Sequence, residues 1–329
     1  MPSPLAALRP LLERIPTRRL LVVGDLVADH YLYGQTDRVS REAPVLIVRY
    51  EDSEVKLGGG ANAAANARSL GGQVTAVGVL GQDEMGERLS REFQSAGVHL
   101  LHATGEGLQT ETKTRILAGG LNTTRQQMLR VDRGNRAPLP DAVNARLAEM
   151  IAEAAKSVDA IVVSDYGAGV LSEVTREVLC ALAASGMPVC VDSRYGLGNF
   201  RGATVCKPNE PELEALTGLS IRSEGDLLAA GRRARAQLEC QTLLVTRGRS
   251  GMAVFGEDSV ELLPVHGQAE AVDVTGAGDT VIAAFALAFA ASKDPLLAAR
   301  LANVAGALVV QKAGTATVSL AELEAELSA

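Results

Sequence analysis

Asp273-Val274-Thr275-Gly276-Ala277-Gly278-Asp279 runs directly into the apolar stretch Thr280 to Ala291. Small residues followed by a carboxylate at a helix start leave backbone N–H groups without acceptors. The partial positive charge of the helix start adds to their pull on an anion. Glycine at 276 and 278 removes the side chains that would hold a ligand off the backbone. Two readings follow. Either Asp279 stands beside a bound phosphate and takes a proton from an attacking hydroxyl, or it caps the helix and the glycines form an ordinary loop.

A second glycine cluster, Gly58-Gly59-Gly60-Ala61-Asn62-Ala63-Ala64, opens another helix, with Gly71 and Gly81 downstream. In this order and at this separation the two stretches resemble the paired signatures of the ribokinase-like, or PfkB, carbohydrate kinases. The early one fits through Gly58, Gly59, Gly60, Asn62, Ala64, Gly71 and Gly81. The late one fits through Asp273, Gly276, Ala277, Gly278, Asp279, Ala283 and Ala284. The resemblance implies phosphotransfer from ATP, with Mg2+, to an alcohol. Asp279 would be the base, and the amides of Gly276, Ala277 and Gly278 would hold the moving phosphoryl group.

The 329 residues are 47% apolar and 22% charged, ordinary for a globular chain, and can bury a full core. A net charge of −7 disfavours a nucleic-acid surface. Cys180, Cys190, Cys206 and Cys240 form no CxxC pair, and the four histidines show no metal-site spacing. Met1 to Pro16 lacks the apolar core of a signal peptide, and no apolar run reaches the ~20 residues of a membrane span. A reduced, cytoplasmic protein without membrane or nucleic-acid partners is expected.

Continuous apolar runs at Leu20 to Val23, Val74 to Val79, Ala160 to Val163, Val189 to Val191 and Thr242 to Val245 suit strands covered on both faces. Helical patterns separate them at Ala61 to Leu70, Glu84 to Ala96, Asp141 to Ala155, Ser172 to Ala184 and Ser223 to Gln237. Such alternation predicts right-handed βαβ units in a doubly wound, mostly parallel α/β layer, taken as one domain over 1–329. Ala43 to Lys56, Thr110 to Ala118 and Gln126 to Asp132 are strand-like with no helix between them. They suit edge hairpins or a separate small sheet. The family resemblance implies the latter, a β-lid over the sugar spanning about 30–56 and 108–134, which pairs with a second copy in a homodimer.

A narrower resemblance covers nearly the whole chain. Gly24-Asp25, Asp29, Tyr31, Tyr33-Gly34, Arg38, Ser40, Glu42-Ala43-Pro44, Thr112-Lys113-Thr114-Arg115, Gln126-Gln127, Arg130-Val131-Asp132 and Ser164-Asp165-Tyr166 are similar to the bacterial D-glycero-β-D-manno-heptose 7-phosphate kinases. Two-function relatives fuse that kinase to a nucleotidyltransferase, so a stand-alone form is expected. Asp25 and Asp29 follow the first strand, where carboxylates can hold sugar hydroxyls. Asn62 either contacts a hydroxyl or caps its helix. Lys113, Arg115, Arg125 and Arg130 offer charge to a phosphate already on the substrate, or form a plain charged strand face.

The resemblance adds Gly58, Gly59 and Asp165 to the sugar site. It gives Asn209, Thr246, Gly248, Thr275, Gly278 and Asn303 to the nucleotide, and Asn209 with Glu212 to Mg2+ through water. It also allows a monovalent cation near Asp273 and Gly314. Three features depart from the heptose-phosphate pattern: Ala168 and Ser193-Arg194 where lysines are usual, and a longer Gly119 to Thr124. They leave open a kinase for fructose, ribose, a keto-deoxy sugar acid or a nucleoside such as adenosine. A retired nucleotide-binding scaffold would not keep Gly-Ala-Gly-Asp. Gly167-Ala168-Gly169 lacks the third glycine of a dinucleotide site, and there is no P-loop.

Overall fold

The computed structural model describes residues 6–120, 125–267 and 270–328. Strand β1 (Arg19–Gly24) is the apolar run expected at Leu20 to Val23, and it feeds two cores. Leu20 and Val22 pack on one face of the sheet, Leu21 and Val23 on the other. The chain then leaves this sheet for β2 (Leu26–Val39) and β3 (Leu46–Gly59), returning as β4 (Gln73–Val79) and β5 (His99–Ala103). A second excursion forms β6 (Thr112–Gly119) and β7 (Gln126–Arg133). Strands β8 (Ala160–Asp165), β9 (Val189–Ser193), β10 (Val205–Cys206), β11 (Thr242–Thr246), β12 (Met252–Phe255) and β13 (Val260–Leu263) complete the large sheet.

Its nine strands run in the order β13-β12-β11-β10-β9-β8-β1-β4-β5, all in one direction except β12, which pairs antiparallel with both β11 and β13. Helices Gly60–Ser69, Glu84–Ala96, Ala277–Ser292 and Pro295–Val309 cover one face, and Asp141–Ala155, Glu173–Ala184 and Glu224–Leu238 the other. Ser172 and Ser223, expected as first helical residues, are N-caps accepting from the N–H groups of Thr175 and Asp226. Strand order turns at the β1–β8 boundary, and a crevice for ligands opens beyond the carboxyl ends at such a turn. A Cβ at Gly24 would meet the Ser164 carbonyl oxygen at 2.1 Å, so glycine lets the two strands close there.

The segments without helix do form a separate sheet, β3-β2-β6-β7. β2 pairs with β3 antiparallel and with β6 parallel, and β6 pairs with β7 antiparallel. β2 has only the short apolar run Leu26 to Ala28; its outer part, Gln35-Thr36-Asp37-Arg38, is polar, and pairing with two neighbours makes it extended. Asp29 therefore lies within β2, beyond the carboxyl end of the first strand where the sequence places it. Of the longer stretch 119–124, residues 121–124 lie outside those described.

Candidate active site

Helix Ala277–Ser292 begins on Gly276, whose φ of 77° lies in the left-handed region. A Cβ there would sit 2.5 Å from Asn62 Nδ2, so space and backbone both require glycine. Among the described residues, the N–H groups of Gly276, Gly278 and Asp279 meet no protein acceptor, while Ala277 donates to the Val274 carbonyl at 3.2 Å. The free amides thus reach one residue further into the helix than the sequence suggests, because the turn closes on Ala277. Lys207, at the end of β10, stands beside them. Its Nζ would be 3.3 Å from a Cβ at Gly278, and it pairs with Asp192 at 2.9 Å with both side chains largely buried.

Asp279 is only 2% exposed, where proximity to a phosphate suggested an open carboxylate. It is covered by polar groups, not sealed in hydrocarbon. Asn62 Nδ2 donates to Oδ2 at 3.0 Å, and the Tyr166 hydroxyl donates to Oδ1 at 2.9 Å and Oδ2 at 3.1 Å. Burial pushes the Asp279 carboxyl up to about 7, with the Asp192 charge adding to it and the bonds from Asn62 and Tyr166, together with Lys207, opposing. Asn62 is in turn fixed by Asn66, one helical turn on. Asn66 donates to Asn62 Oδ1 at 3.0 Å and accepts from Thr280 Oγ1 at 3.0 Å, tying helix Gly60–Ser69 to the start of helix Ala277–Ser292.

A cleft of about 1070 Å³ opens at this point, lined by Tyr166, Asp192, Arg194, Lys207, Gly276 and Gly278 among others. Its volume is at the top of the range for small-molecule sites and has room for two ligands. Asn209, Glu212 and Thr246 line its far end. Asn209 and Glu212 form a reciprocal capping box at 2.8 and 2.9 Å, the structural reading of this pair, which leaves one polar atom on each side chain uncommitted. Burial raises the Glu212 carboxyl above its ordinary value, with Asp192 adding. Thr275 donates its N–H to Asp273, and Gly248 starts an exposed turn after β11. Asn303 is not among the cleft residues; its Nδ2 donates to the Pro264 carbonyl at 2.7 Å. Asp273 also accepts from Gly314 N–H at 2.9 Å, bracing the two loops proposed for a monovalent cation.

The described residues contain no cluster of three or more His, Cys, Asp and Glu arranged around a metal. Glu212 and Asp192 are hard oxygen donors at the cleft. This sparse set suits Mg2+, which keeps water and phosphate oxygens as most of its shell.

The small sheet meets the cleft through Lys113 and Tyr166. Asp29 is buried, paired with Arg115 at 2.6 Å and accepting from Thr315 Oγ1 at 2.8 Å; a Cβ at Gly58 would come within 2.5 Å of its carboxylate. Lys113, opposite Asp29 in register, reaches 4.7 Å from the Tyr166 ring, and Arg194 lies 4.4 Å from the same ring. Arg130 faces Arg115 across the ladder and pairs with the exposed Asp132. Asp165 accepts from Ser193 Oγ at 2.6 Å and Gly167 N–H at 3.0 Å. Asp25 points inward. Its oxygens accept the N–H groups of Tyr166, Ala168 and Val170 at 2.7, 3.0 and 3.3 Å, and burial raises its carboxyl. Gly59, φ 56°, packs against the Asp25 carbonyl and the Tyr166 ring. Sequence reasoning overlooked roles for Lys207, Asp192, Asn66 and the Tyr166 hydroxyl. The signal available for Lys207 was its place at a strand end just before Asn209.

A helix start with free amides, an acid beside it and a large cleft at a topological switch point fit a phosphotransferase of ribokinase-like fold. The chain belongs to the pfkB family of carbohydrate kinases, which it matches over residues 17–322, and it is an ATP-dependent kinase. It is 39% identical over 307 residues to the bifunctional protein HldE of a Nitratiruptor species, covering 93% of this chain and 64% of that protein. With HldE of Syntrophotalea carbinolica it shares 40% identity over 321 residues, 95% of this chain and 63% of the relative. The chain thus spans less than two thirds of the length of these relatives. In fold it is similar to Arabidopsis thaliana ribokinase complexed with ribose and ATP (TM-score 0.74, 22% identity, covering 95% and 99% of the two chains). Escherichia coli phosphofructokinase-2 in complex with substrates and products gives a TM-score of 0.77 at 20% identity, again covering 95% and 99%.

Proposed function

We propose that the chain transfers the γ-phosphate of ATP to D-glycero-β-D-manno-heptose 7-phosphate, giving the 1,7-bisphosphate, a step toward ADP-heptose and the lipopolysaccharide core. The observation that carries the acceptor class is the meeting of Lys113 and Arg194 on the ring of Tyr166, whose hydroxyl contacts Asp279. Lys113 and Arg194 make no ion pair among the described residues, so both are available to a phosphate already on the sugar. The resemblance of Thr112-Lys113-Thr114-Arg115 and Ser164-Asp165-Tyr166 to the heptose 7-phosphate kinases supports the same acceptor.

In this mechanism the acceptor hydroxyl displaces Tyr166 and donates to Asp279. Its oxygen forms the new bond to the γ-phosphorus as the bond to the β–γ bridging oxygen breaks, the electron pair leaving with ADP. Asp279 receives the proton, while Gly276, Gly278 and Asp279 amides and Lys207 balance charge on the phosphoryl group. Mg2+, held through water by Asn209 and Glu212, would neutralise the nucleotide phosphates. Thr246, Gly248, Thr275 and Asn303 serve the nucleotide; Gly58, Gly59, Asp29, Asn62, Asp165 and Arg130 serve the sugar phosphate. Asp25 acts by holding the loop that carries Tyr166. The two sheets work as one kinase unit over 1–329, with the small sheet as lid (about 30–56 and 108–134), in a cytoplasmic homodimer. No helix among the described residues is long and apolar enough to cross a membrane.

The arginine at 194 and alanine at 168 support a second reading, the same chemistry on a different acceptor. The test is ADP release with ATP and Mg2+ across a panel: heptose 7-phosphate, fructose, ribose, a keto-deoxy sugar acid and adenosine. Preference for the heptose phosphate is expected; turnover confined to another acceptor overturns the assignment. Potassium dependence of that rate tests a monovalent cation at Asp273 and Gly314.

A further inference from the structure

Tyr166 touches both halves of the site. Its hydroxyl donates to the two oxygens of Asp279, and its ring lies within 4.7 Å of the Lys113 ammonium and 4.4 Å of the Arg194 guanidinium. Lys113 comes from the small sheet and Arg194 from the loop after β9, so one side chain joins the lid, the large sheet and the base. Its backbone N–H is pinned to Asp25, which fixes the loop while leaving the side chain to its contacts.

We propose that Tyr166 is a positioning residue that makes the availability of Asp279 depend on an anionic group elsewhere on the acceptor. The idea rests on the sugar-phosphate reading above. With no anion bound, the two cations hold the ring and its hydroxyl occupies the oxygens an acceptor needs. A phosphate on the sugar offers Lys113 and Arg194 charge-assisted hydrogen bonds, stronger than their contacts with a ring face. Their departure frees Tyr166 to yield one carboxylate oxygen to the attacking hydroxyl. A sugar without the phosphate leaves the hydroxyl in place. The proton of Tyr166 stays on its oxygen throughout, since burial and the Asp279 charge raise that phenol well above its ordinary value.

The charged and titratable groups facing this pair are Asp192, Lys207, Arg194 and Lys113. All are retained in Tyr166→Phe, which removes only the hydroxyl. Carbon-13 NMR of aspartate-labelled protein, with Asp279 assigned by its loss in Asp279→Asn, reads the first consequence without any substrate. The Asp279 carboxyl titrates near 7 in the parent, and at higher pH in Tyr166→Phe because a donor to the charged form is gone. An unchanged midpoint overturns the proposal. Kinetics reads the second. The kcat preference for heptose 7-phosphate over the unphosphorylated heptose should shrink by about tenfold, the scale of two ring–cation contacts, with KM for the phosphate little altered. An unchanged preference also overturns it. If Tyr166→Phe no longer binds ATP, Arg194→Gln is decisive, since it keeps the hydroxyl and loses one cation; its preference must shrink too. A parent that phosphorylates neither acceptor refutes the heptose assignment, while the NMR midpoint still decides the role of Tyr166.

Discussion

Asp279 carries a conflict between solvation and chemistry. Burial holds its carboxyl near 7, against an ordinary value of 3.8. Only the ionised form accepts a proton, so kcat/KM is expected to fall tenfold per unit as pH drops below about 7. A profile flat to pH 5 would exclude this group. The same shift affects folding. Between 3.8 and about 7 the folded chain holds a proton that the unfolded chain has released. Stability from this group is therefore present at low pH and lost as pH rises through that interval. Asp279→Asn removes the buried charge, so at pH 8 its Tm should exceed the parent's by a few degrees, about 2–4 °C per kcal/mol at this size. Calorimetry at pH 5 and pH 8 checks this; the gain should be smaller at pH 5. Lys207 makes the complementary case. Lys207→Met leaves Asp192 unpaired beside the phosphoryl position and should lower kcat about 100-fold, the scale of a lost charge-stabilising group, with ATP binding reduced less. Equal losses in both would make Lys207 a binding residue.

The active helix start depends on how two helices meet. Gly276→Ala would put a Cβ 2.5 Å from Asn62 Nδ2 on a backbone with φ of 77°. A stability loss of about 1–3 kcal/mol in urea unfolding is expected, together with loss of turnover; a neutral effect would mean the turn relaxes freely. At this scale the large sheet is readable in sequence. Strands such as β1 and β8 are buried on both faces, and an unbroken apolar run is what two-sided burial requires. The glycine-rich starts were readable for the same reason, since backbone approach to a ligand admits almost nothing else. β2 was not, because partners far along the chain impose its extended form on a polar segment. Nor was the inward turn of Asp25 or the cap on Asp279 by Tyr166. Both depend on loops brought together across 141 and 113 residues, and local pattern holds no record of such meetings.

For the molecule as a whole, the small sheet stands out by what it leaves uncovered. Six of the twelve exposed large apolar side chains among the described residues, Val39, Leu46, Tyr50, Met128, Leu129 and Val131, belong to it, Val45 lies in its β2–β3 connection, and every residue of edge strand β7 is exposed. An apolar edge of that kind invites a partner, and a second copy of the chain is the occupant proposed above. Leu129→Glu with Val131→Glu should convert a dimer to a monomer by light scattering, with the fold retained by circular dichroism; a parent already monomeric would refute the pairing. The proposed function assigns fold, cleft and small sheet to one central event, proton removal by Asp279 while adjoining amides and Lys207 hold the phosphoryl group. The most direct test is single-turnover phosphoryl transfer from ATP by Asp279→Asn with both ligands saturating. The expected result is a rate loss of about 100- to 10,000-fold, the usual share of a general base, with ATP affinity nearly unchanged. A transfer rate close to that of the parent would contradict the account.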